Sequence, residues 1–539
     1  MRIALVVHGW PPELRGGTEL GTRAIAHALV REGHEVLVIA GTLEHGDPPR
    51  SQRSRELEPR TGRPFAVTRI ERPDLYFDHW QKGRSVPVGR AFDALLSEFR
   101  PDVLHLQHWL RLSTDLVRRA ARLGIPAVVT LHDHTTTCLL NWRAHPIDQA
   151  PCSREFDPMG CAACAGHVAP KTPWVGLEQQ IVRAAARQQD LEAELRAARA
   201  VFVPSQAHGE SLLRLGLTPR NLLVLPPFGG GALTPRTPPG DPASVGALRV
   251  GAWGLSSPAK GAALIRRAAA LVDAPVPIEL HLAGSAAGEP SPGVHVHGAY
   301  EPEDLTTHAV TDVHLAVIGS LAEESHSLVA DEAHALGLPL ALPLSGAFPE
   351  RFSEGDGVWF YPAADAAGLA RLFDRAARDP EALGALRERV TMPDQNPAAR
   401  VEFLLEIYLA VAKEGPGQVA PAEWFEEKLV ETESAAWDVA LSQADPAARI
   451  DSDVETLARF RTGDDHARRD ADLLQPIQSR RPVRAPPRIP GRLRGFRTRI
   501  DRSCAFGRGT AARLRGTVGG VAREGSGLDR PAARRAGGS

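Results

Sequence analysis

Short apolar runs alternate with amphipathic helical patterns in the first part of the chain. The runs Ile3–Val7 and Val36–Ile39 are apolar throughout, as in parallel strands buried on both faces. Between them, Leu20–Arg31 has the apolar spacing of a helix and is followed by Gly33, a typical helix stop. This order predicts a βαβ unit. The alternation continues through three more predicted elements: Val103–Leu106, Leu112–Leu123 and Ala127–Leu131.

A second alternating series follows the proline-rich segment 235–242. Its predicted strands and helices are Leu248–Ala252, Ala262–Val272, Ile278–Ala283, Val313–Val317, Leu328–Leu336 and Leu338–Leu342. The fold class is therefore α/β, with two successive doubly wound parallel-sheet domains. Ligands of such sheets bind at the carboxyl ends of the strands, so we expect the site in the cleft between the domains.

Composition and pattern divide the chain into five segments. They are an N-terminal α/β domain, a hinge, a C-terminal α/β domain, a helical extension and an Arg-rich tail that we expect to be disordered: 1–234, 235–247, 248–397, 398–474 and 475–539. Within the extension, Ala398–Lys413 has a helical pattern.

Composition narrows the class of protein. Apolar residues make up 43% and charged residues 24% of the chain, which excludes collagen-like, wholly disordered and multi-span membrane proteins. Met1–Val7 is too short for a signal peptide, and no run approaches the roughly 18 apolar residues of a membrane-spanning helix. We therefore expect a cytoplasmic protein.

The positive charge is concentrated in the tail. The formal net charge is −2, but residues 480–539 contain 16 Arg, no Lys and three acidic residues. We expect no nucleic-acid partner for the α/β domains. We expect a disordered Arg-rich extension in the tail. The alternative is a short basic amphipathic helix at the inner face of an anionic membrane, which is indicated by an apolar stripe with Arg residues among its members: Ile489, Leu493, Phe496 and Ile500.

Three motifs carry candidate chemistry. Gly16 and Gly17 open the first helix, where backbone amides attract anions, although an ordinary turn with Thr18 as N-cap explains them equally. Lys260 lies at a strand-to-helix turn and suits a phosphate, or it is an ordinary surface lysine.

The third motif is a pair of carboxylates around one helix start. Glu324 precedes the helix and Glu332 lies inside it, on roughly the same side. Free amides near Leu328 and Val329 are placed to hold a diphosphate, with a carboxylate toward either end of the same ligand. The alternative is a solvated helical face.

Together these motifs resemble the retaining glycosyltransferases of family 4, which have the GT-B fold. The resemblance covers about residues 1–412 and rests on four motifs: Gly16-Gly17-Thr18-Glu19, Thr130-Leu131-His132-Asp133, Lys260-Gly261 and Glu324 to Glu332. It implies transfer of a sugar from a nucleotide sugar to an acceptor with retention of anomeric configuration and no metal in catalysis. It also implies an acceptor-side N-terminal domain and a nucleotide-sugar-binding C-terminal domain.

The resemblance assigns roles to particular residues. It implies that Glu324 and His132 face the transferred sugar as the catalytic residues. Lys260 then binds the donor phosphates, and Glu332 binds the ribose. The remaining implied donor contacts are Gly16, Gly17, Ser327, Leu328 and Val329.

Two positions depart from the family pattern. Leu255 stands where the family usually has an arginine that binds phosphate, and His326-Ser327 replaces Phe-Gly. These departures leave open a catalytically silent GT-B protein that binds a sugar nucleotide or serves as a scaffold. A GT-B epimerase or phosphorylase is the other alternative.

Four of the five cysteines fall in one loop after the first-domain strands. Thiolates at this density predict a structural zinc site, with free thiols and a disulfide as the alternatives. The residues are Cys138, Cys152, Cys161 and Cys164.

Overall fold

A computed structural model describes the chain at residues 1–45, 50–72, 80, 83–147, 150–168, 176–229, 233–391 and 397–419. The rest of the predicted helical extension and the whole Arg-rich tail lie outside the described residues. Among the described helices, none combines the length and apolar character needed to cross a membrane.

The first half is built on an eight-stranded sheet. Its strands in chain order are β1 (Arg2–Val7), β2 (Glu35–His45), β3 (Ser51–Leu57), β4 (Pro64–Arg72), β5 (Val103–Leu106), β6 (Ala127–Thr130), β7 (Ala200–Val203) and β8 (Leu222–Val224). They lie side by side in the order β3-β4-β2-β1-β5-β6-β7-β8. All neighbouring pairs are parallel except β3 and β4, which form an antiparallel hairpin.

The helices of the first half lie between its strands in the sequence. They are α1 (Gly17–Arg31), α2 (Val86–Phe99), α3 (Leu116–Arg122), α4 (Pro158–Ala165), α5 (Leu177–Ala197) and α6 (Gln206–Arg214). The predicted helix 112–123 was wrong at its start, because Asp115 is the N-cap residue and the helix begins at Leu116.

The second half is built on a six-stranded parallel sheet. Its strands are β9 (Leu248–Ala252), β10 (Ile278–Leu282), β11 (Val294–Val296), β12 (Leu315–Val317), β13 (Leu340–Pro343) and β14 (Val358–Tyr361), in the order β11-β10-β9-β12-β13-β14. The helices are α7 (Pro242–Val245), α8 (Ala262–Ala270), α9 (Leu328–Ala335), α10 (Phe348–Arg351), α11 (Ala366–Arg378) and α12 (Pro380–Glu388). The two predicted doubly wound sheets are therefore confirmed.

The last described helix, α13 (Pro397–Glu414), returns to the first half. Its buried side chains share a core with β1, β2 and α1, among them Leu404 and Tyr408. The Tyr408 hydroxyl lies 2.6 Å from Nδ1 of His105 on β5. The last described helix therefore packs on the first half, although it follows the second half in sequence.

Candidate functional site

The segment between β12 and α9 lies between the two halves. Ser325 donates its hydroxyl to the carbonyl oxygen of His132 at 2.6 Å, and Ser211 donates to the Glu323 carboxylate at 2.7 Å. His132 and Ser211 belong to the first half. Glu323 and Ser325 therefore face the first half, and Glu324 between them turns the other way.

Glu324 pairs with Lys260 inside the second half. Lys260 Nζ lies 2.7 Å from Glu324 Oε1, and Ser320 also donates its hydroxyl to that oxygen. Burial raises the pKa of the Glu324 carboxyl, but the Lys260 charge and these hydrogen bonds outweigh it and hold the pKa below its usual range. Glu324 is therefore ionised at neutral pH.

Lys260 is held by a turn that admits only glycine at the next position. Gly261 has φ +75°, and a Cβ added there would lie 1.8 Å from the carbonyl oxygen of Gly319. The backbone at 261 thus touches the chain that follows β12, which places the Lys260 side chain beside Glu324.

The start of α9 has an unusual backbone. Ser327, the N-cap residue, has φ +77°, a conformation that favours glycine, and its hydroxyl caps the helix by accepting from the Ala330 amide at 3.4 Å. This serine stands where the family usually has glycine. It keeps the glycine-like backbone and adds a cap, so the helix start is preserved despite the departure in sequence.

The glycine loop of the first half meets this helix start. Gly16 is the N-cap of α1, so the alternative with Thr18 as N-cap was wrong. A Cβ added at Gly17 would lie 3.3 Å from the Leu328 side chain. The amino ends of α1 and α9 therefore approach each other across the cleft, and the structure brings these two predicted motifs together.

Glu332 lies about one turn into α9, beside Trp253. The indole Nε1 of Trp253 donates to Glu332 Oε2 at 2.8 Å. Burial raises the pKa of Glu332 to about 7, with a smaller contribution from Asp331. The carboxyl is thus half protonated near neutral pH, which is inconsistent with a fully solvated helical face.

His132 completes the predicted set from the first half. Its Nε2 lies 2.7 Å from the Gln107 side-chain oxygen. Burial, with the neighbouring His108, lowers the pKa of His132 to about 4, so the ring is neutral at physiological pH. Its backbone carbonyl, and not its ring, makes the contact with Ser325.

Sequence reasoning missed a polar cluster around His132. His8 Nε2 lies 3.0 Å from Glu19, and the ring of His8 lies 4.4 Å from that of His108. His108 in turn lies 3.3 Å from the Asp133 carboxylate. His8, His108 and Asp133 lie within three residues after the ends of β1, β5 and β6 respectively. The rule that parallel strands present ligand groups at their carboxyl ends was therefore the available signal.

Leu255, at the position where the family usually has an arginine, contributes no charge to the cleft. It is 3% exposed and belongs to the core of the second half. Arg351 lies instead beside the helix start, where it donates to the carbonyl of His326 and pairs with Asp331. A guanidinium is therefore present next to α9, at a different position from the family's usual arginine.

The four loop cysteines are unpaired and partly buried. Burial, with smaller contributions from the other three thiols, raises the pKa of Cys164 to about 11. Burial likewise raises the pKa of Cys161. The predicted zinc site stays a prediction.

Similarity to solved structures defines the class of this architecture. Sucrose-phosphate synthase from Thermosynechococcus elongatus aligns over 76% of this chain and 98% of its own, with a TM-score of 0.51 and 19% identity. The Anabaena protein HepE, solved with UDP and glucose, aligns over 76% of this chain and 100% of its own, with a TM-score of 0.47 and 15% identity. The chain has the GT-B fold of glycosyltransferases.

Sequence similarity adds a partial family match. Residues 15–228 match the model of Glycosyltransferase Family 4. The GDP-mannose-dependent alpha-mannosyltransferase of Mycolicibacterium smegmatis is 34% identical over 132 residues, which is 24% of this chain and 31% of that protein. The match thus spans less than a third of that relative's length.

Proposed function

We propose that the protein is a glycosyltransferase that moves a sugar from a nucleotide sugar to an acceptor. The observation that carries the proposal is the Lys260–Glu324 ion pair of 2.7 Å at the start of α9, on the side of the segment that lies between the halves. A cation and a helix amino end attract the diphosphate of a nucleotide sugar, and a carboxylate attracts the positive charge that develops on the sugar.

The chemistry follows from how charge develops. Departure of the nucleoside diphosphate places negative charge on its phosphates, which Lys260 and the first amides of α9 stabilise without a metal. Positive charge develops on the sugar, and the ionised Glu324 lies where it attracts that charge. In the proposed complex the phosphates replace Glu324 as the partner of Lys260, and the carboxylate turns to the sugar hydroxyls.

The other end of the donor lies along α9. Glu332 accepts a hydrogen bond from Trp253 through one oxygen, and its second oxygen is available to accept from the ribose hydroxyls. Gly16 and Gly17 line the diphosphate from the opposite half, where side chains would obstruct it. Neutral His132, held by Gln107, faces the transferred sugar.

We propose GDP-mannose as the first donor to test, because the relative that matches over 132 residues is named for it. A panel of GDP-, UDP- and ADP-sugars should be screened by thermal shift, and the donor that stabilises the protein should then release its nucleoside diphosphate when acceptor glycans are added. If no nucleotide sugar raises the melting temperature, the proposed donor site is wrong.

We propose that transfer proceeds with retention. Lys260 and Ser320 both donate hydrogen bonds to the Glu324 carboxylate. A carboxylate held in this way suits stabilisation of the charge on the sugar, and not the role of a nucleophile or base opposite the leaving group. Comparison of the anomeric coupling constants of donor and product by NMR tests this directly. An inverted product would contradict it.

Leu255 favours a second candidate, a catalytically silent protein that binds a sugar nucleotide. Because Leu255 is a buried leucine, this position lacks the cation that the family usually uses to bind phosphate. Arg351 provides a guanidinium beside the same helix start, which supports the active alternative. Donor binding without nucleoside diphosphate release, with every acceptor tried, would identify the silent protein.

We further propose that the four loop cysteines hold a structural zinc, because neutral thiols packed together ionise readily only when a cation is present.

We also propose that the Arg-rich tail, residues 480–539, attaches the protein to an anionic membrane surface. Neither role takes part in the transfer step.

A further inference from the structure

A cluster of histidines lies on the edge of the second sheet, apart from the residues proposed to bind the donor. Glu279 and His281 are two positions apart on β10, so their side chains point to the same face. His295 on β11 is the register partner of His281. Strand geometry alone therefore brings a carboxylate and two imidazoles to one place.

The side chains of these residues converge. Each of Glu279, His281 and His295 offers a ligand atom, and the three atoms lie within 4.8 Å of one another. The rings of His281 and His295 stack with their centroids 4.8 Å apart. Among the described residues, no other group of three potential metal ligands comes this close together.

One nitrogen of His281 is free to bind. Its Nδ1 lies 3.1 Å from Nε2 of His297, and its Nε2 is buried without a hydrogen-bond partner among the described residues. When Nδ1–H donates to His297, the lone pair on Nε2 is the one exposed to a ligand. A histidine that binds a metal commonly has its other nitrogen fixed in this way by an outer-shell partner.

Arginines lie beside the carboxylate of the cluster. Glu279 lies 3.6 Å from Arg249, and Arg249 also pairs with Asp312 at 2.9 Å. Asp312 is paired in turn with Arg236 at 3.6 Å, so the two carboxylates and the two guanidiniums balance in charge.

We propose that Glu279, His281 and His295 form a binding site for a transition-metal ion such as Zn²⁺, with His297 orienting His281. Imidazole with one carboxylate suits Zn²⁺, Ni²⁺ and Cu²⁺ and not Mg²⁺ or Ca²⁺, which prefer oxygen ligands. Ligand atoms of a bound zinc lie about 2.0–2.2 Å from the metal, so the three side chains rotate slightly inward.

Isothermal titration of chelator-treated full-length protein with Zn²⁺ alone tests the site. We expect His295→Ala to remove one equivalent of binding, or to weaken it at least about tenfold, because even outer-shell partners cost about 10–100-fold. Glu279→Gln should act in the same direction. His34→Ala, a histidine on the opposite half, is the matched control and should bind as the parent does.

Co²⁺ spectra distinguish this site from the loop cysteines. The parent should show weak bands of imidazole and carboxylate coordination that His295→Ala lacks, while any thiolate-to-cobalt charge-transfer band should remain in both. His295 is exposed, so the variant should keep the parent melting temperature. Equal Zn²⁺ stoichiometry and affinity in parent, His295→Ala and Glu279→Gln would overturn the proposal.

Discussion

The raised pKa of Glu332 predicts a specific dependence of stability on pH. Burial favours the neutral carboxyl in the folded protein, where the pKa is about 7, whereas the ordinary value is 4.5. The stability that the neutral form contributes is fully present below pH 4.5 and is lost as the pH rises through about 7. Glu332→Gln keeps the shape and the acceptor for Trp253 but has no charge to bury, so it should lose nothing over this range.

The magnitude follows from the two pKa values. The shift from 4.5 to about 7 corresponds to about 3 kcal/mol of unfolding free energy, at about 1.4 kcal/mol per pKa unit. For a unit the size of the second half, about 2 °C of melting temperature accompanies each kcal/mol. We therefore expect Glu332→Gln to melt about 6 °C above the parent at pH 8 and close to it at pH 4.5.

Thermal unfolding monitored by circular dichroism, without ligand, measures this difference at both pH values. Glu303→Gln is the matched control, because Glu303 is an exposed carboxyl on the same half and should give the same small change at each pH. A Glu332→Gln shift that is equal at pH 4.5 and pH 8 would refute the reasoning. With nucleotide sugar present, the variant should raise the donor KM more than it lowers kcat.

Three further predictions concern separate parts of the chain. Ser327→Ala should lower stability by about 1 kcal/mol through loss of the α9 cap at positive φ, whereas Ser327→Gly should cost only about a few tenths, as urea unfolding would show. Purified protein should contain about one equivalent of zinc in the cysteine loop, which Cys161→Ser should release; protein free of metal with four titratable thiols would contradict this. Removal of residues 480–539 should abolish flotation with anionic vesicles at low salt, because each Arg contributes about 1 kcal/mol near such a surface. Equal flotation of both proteins would exclude a membrane role for the tail.

The buried parallel strands were predictable because their sequences are apolar throughout. β1, β5 and β9 lie within a residue of their predicted bounds, since both faces of each are covered. The β3–β4 hairpin could not be predicted in this way. β3 is polar and mostly exposed at the sheet edge, so no apolar periodicity marks it.

Individual site residues could be predicted where they belong to a motif at a strand-to-helix turn. Lys260 and Glu324 were named separately from sequence, and the contact between them depends on how Gly261 approaches Gly319, which spacing along the chain does not reveal. The Glu279–His281–His295 cluster shows the same limit. Its members are distributed over two strands, and only the register of β10 against β11 brings them together.

The release of nucleoside diphosphate by parent and Glu324→Ala protein, with GDP-mannose and then the other nucleotide sugars, tests the central claim most directly. Glu324 supports the site more than the core, so the variant should fold, with the partly exposed Lys260 side chain moving into solvent. We predict that the parent releases nucleoside diphosphate in the presence of acceptor and that Glu324→Ala, folded by circular dichroism, releases none above background. Equal release by both proteins would contradict the account.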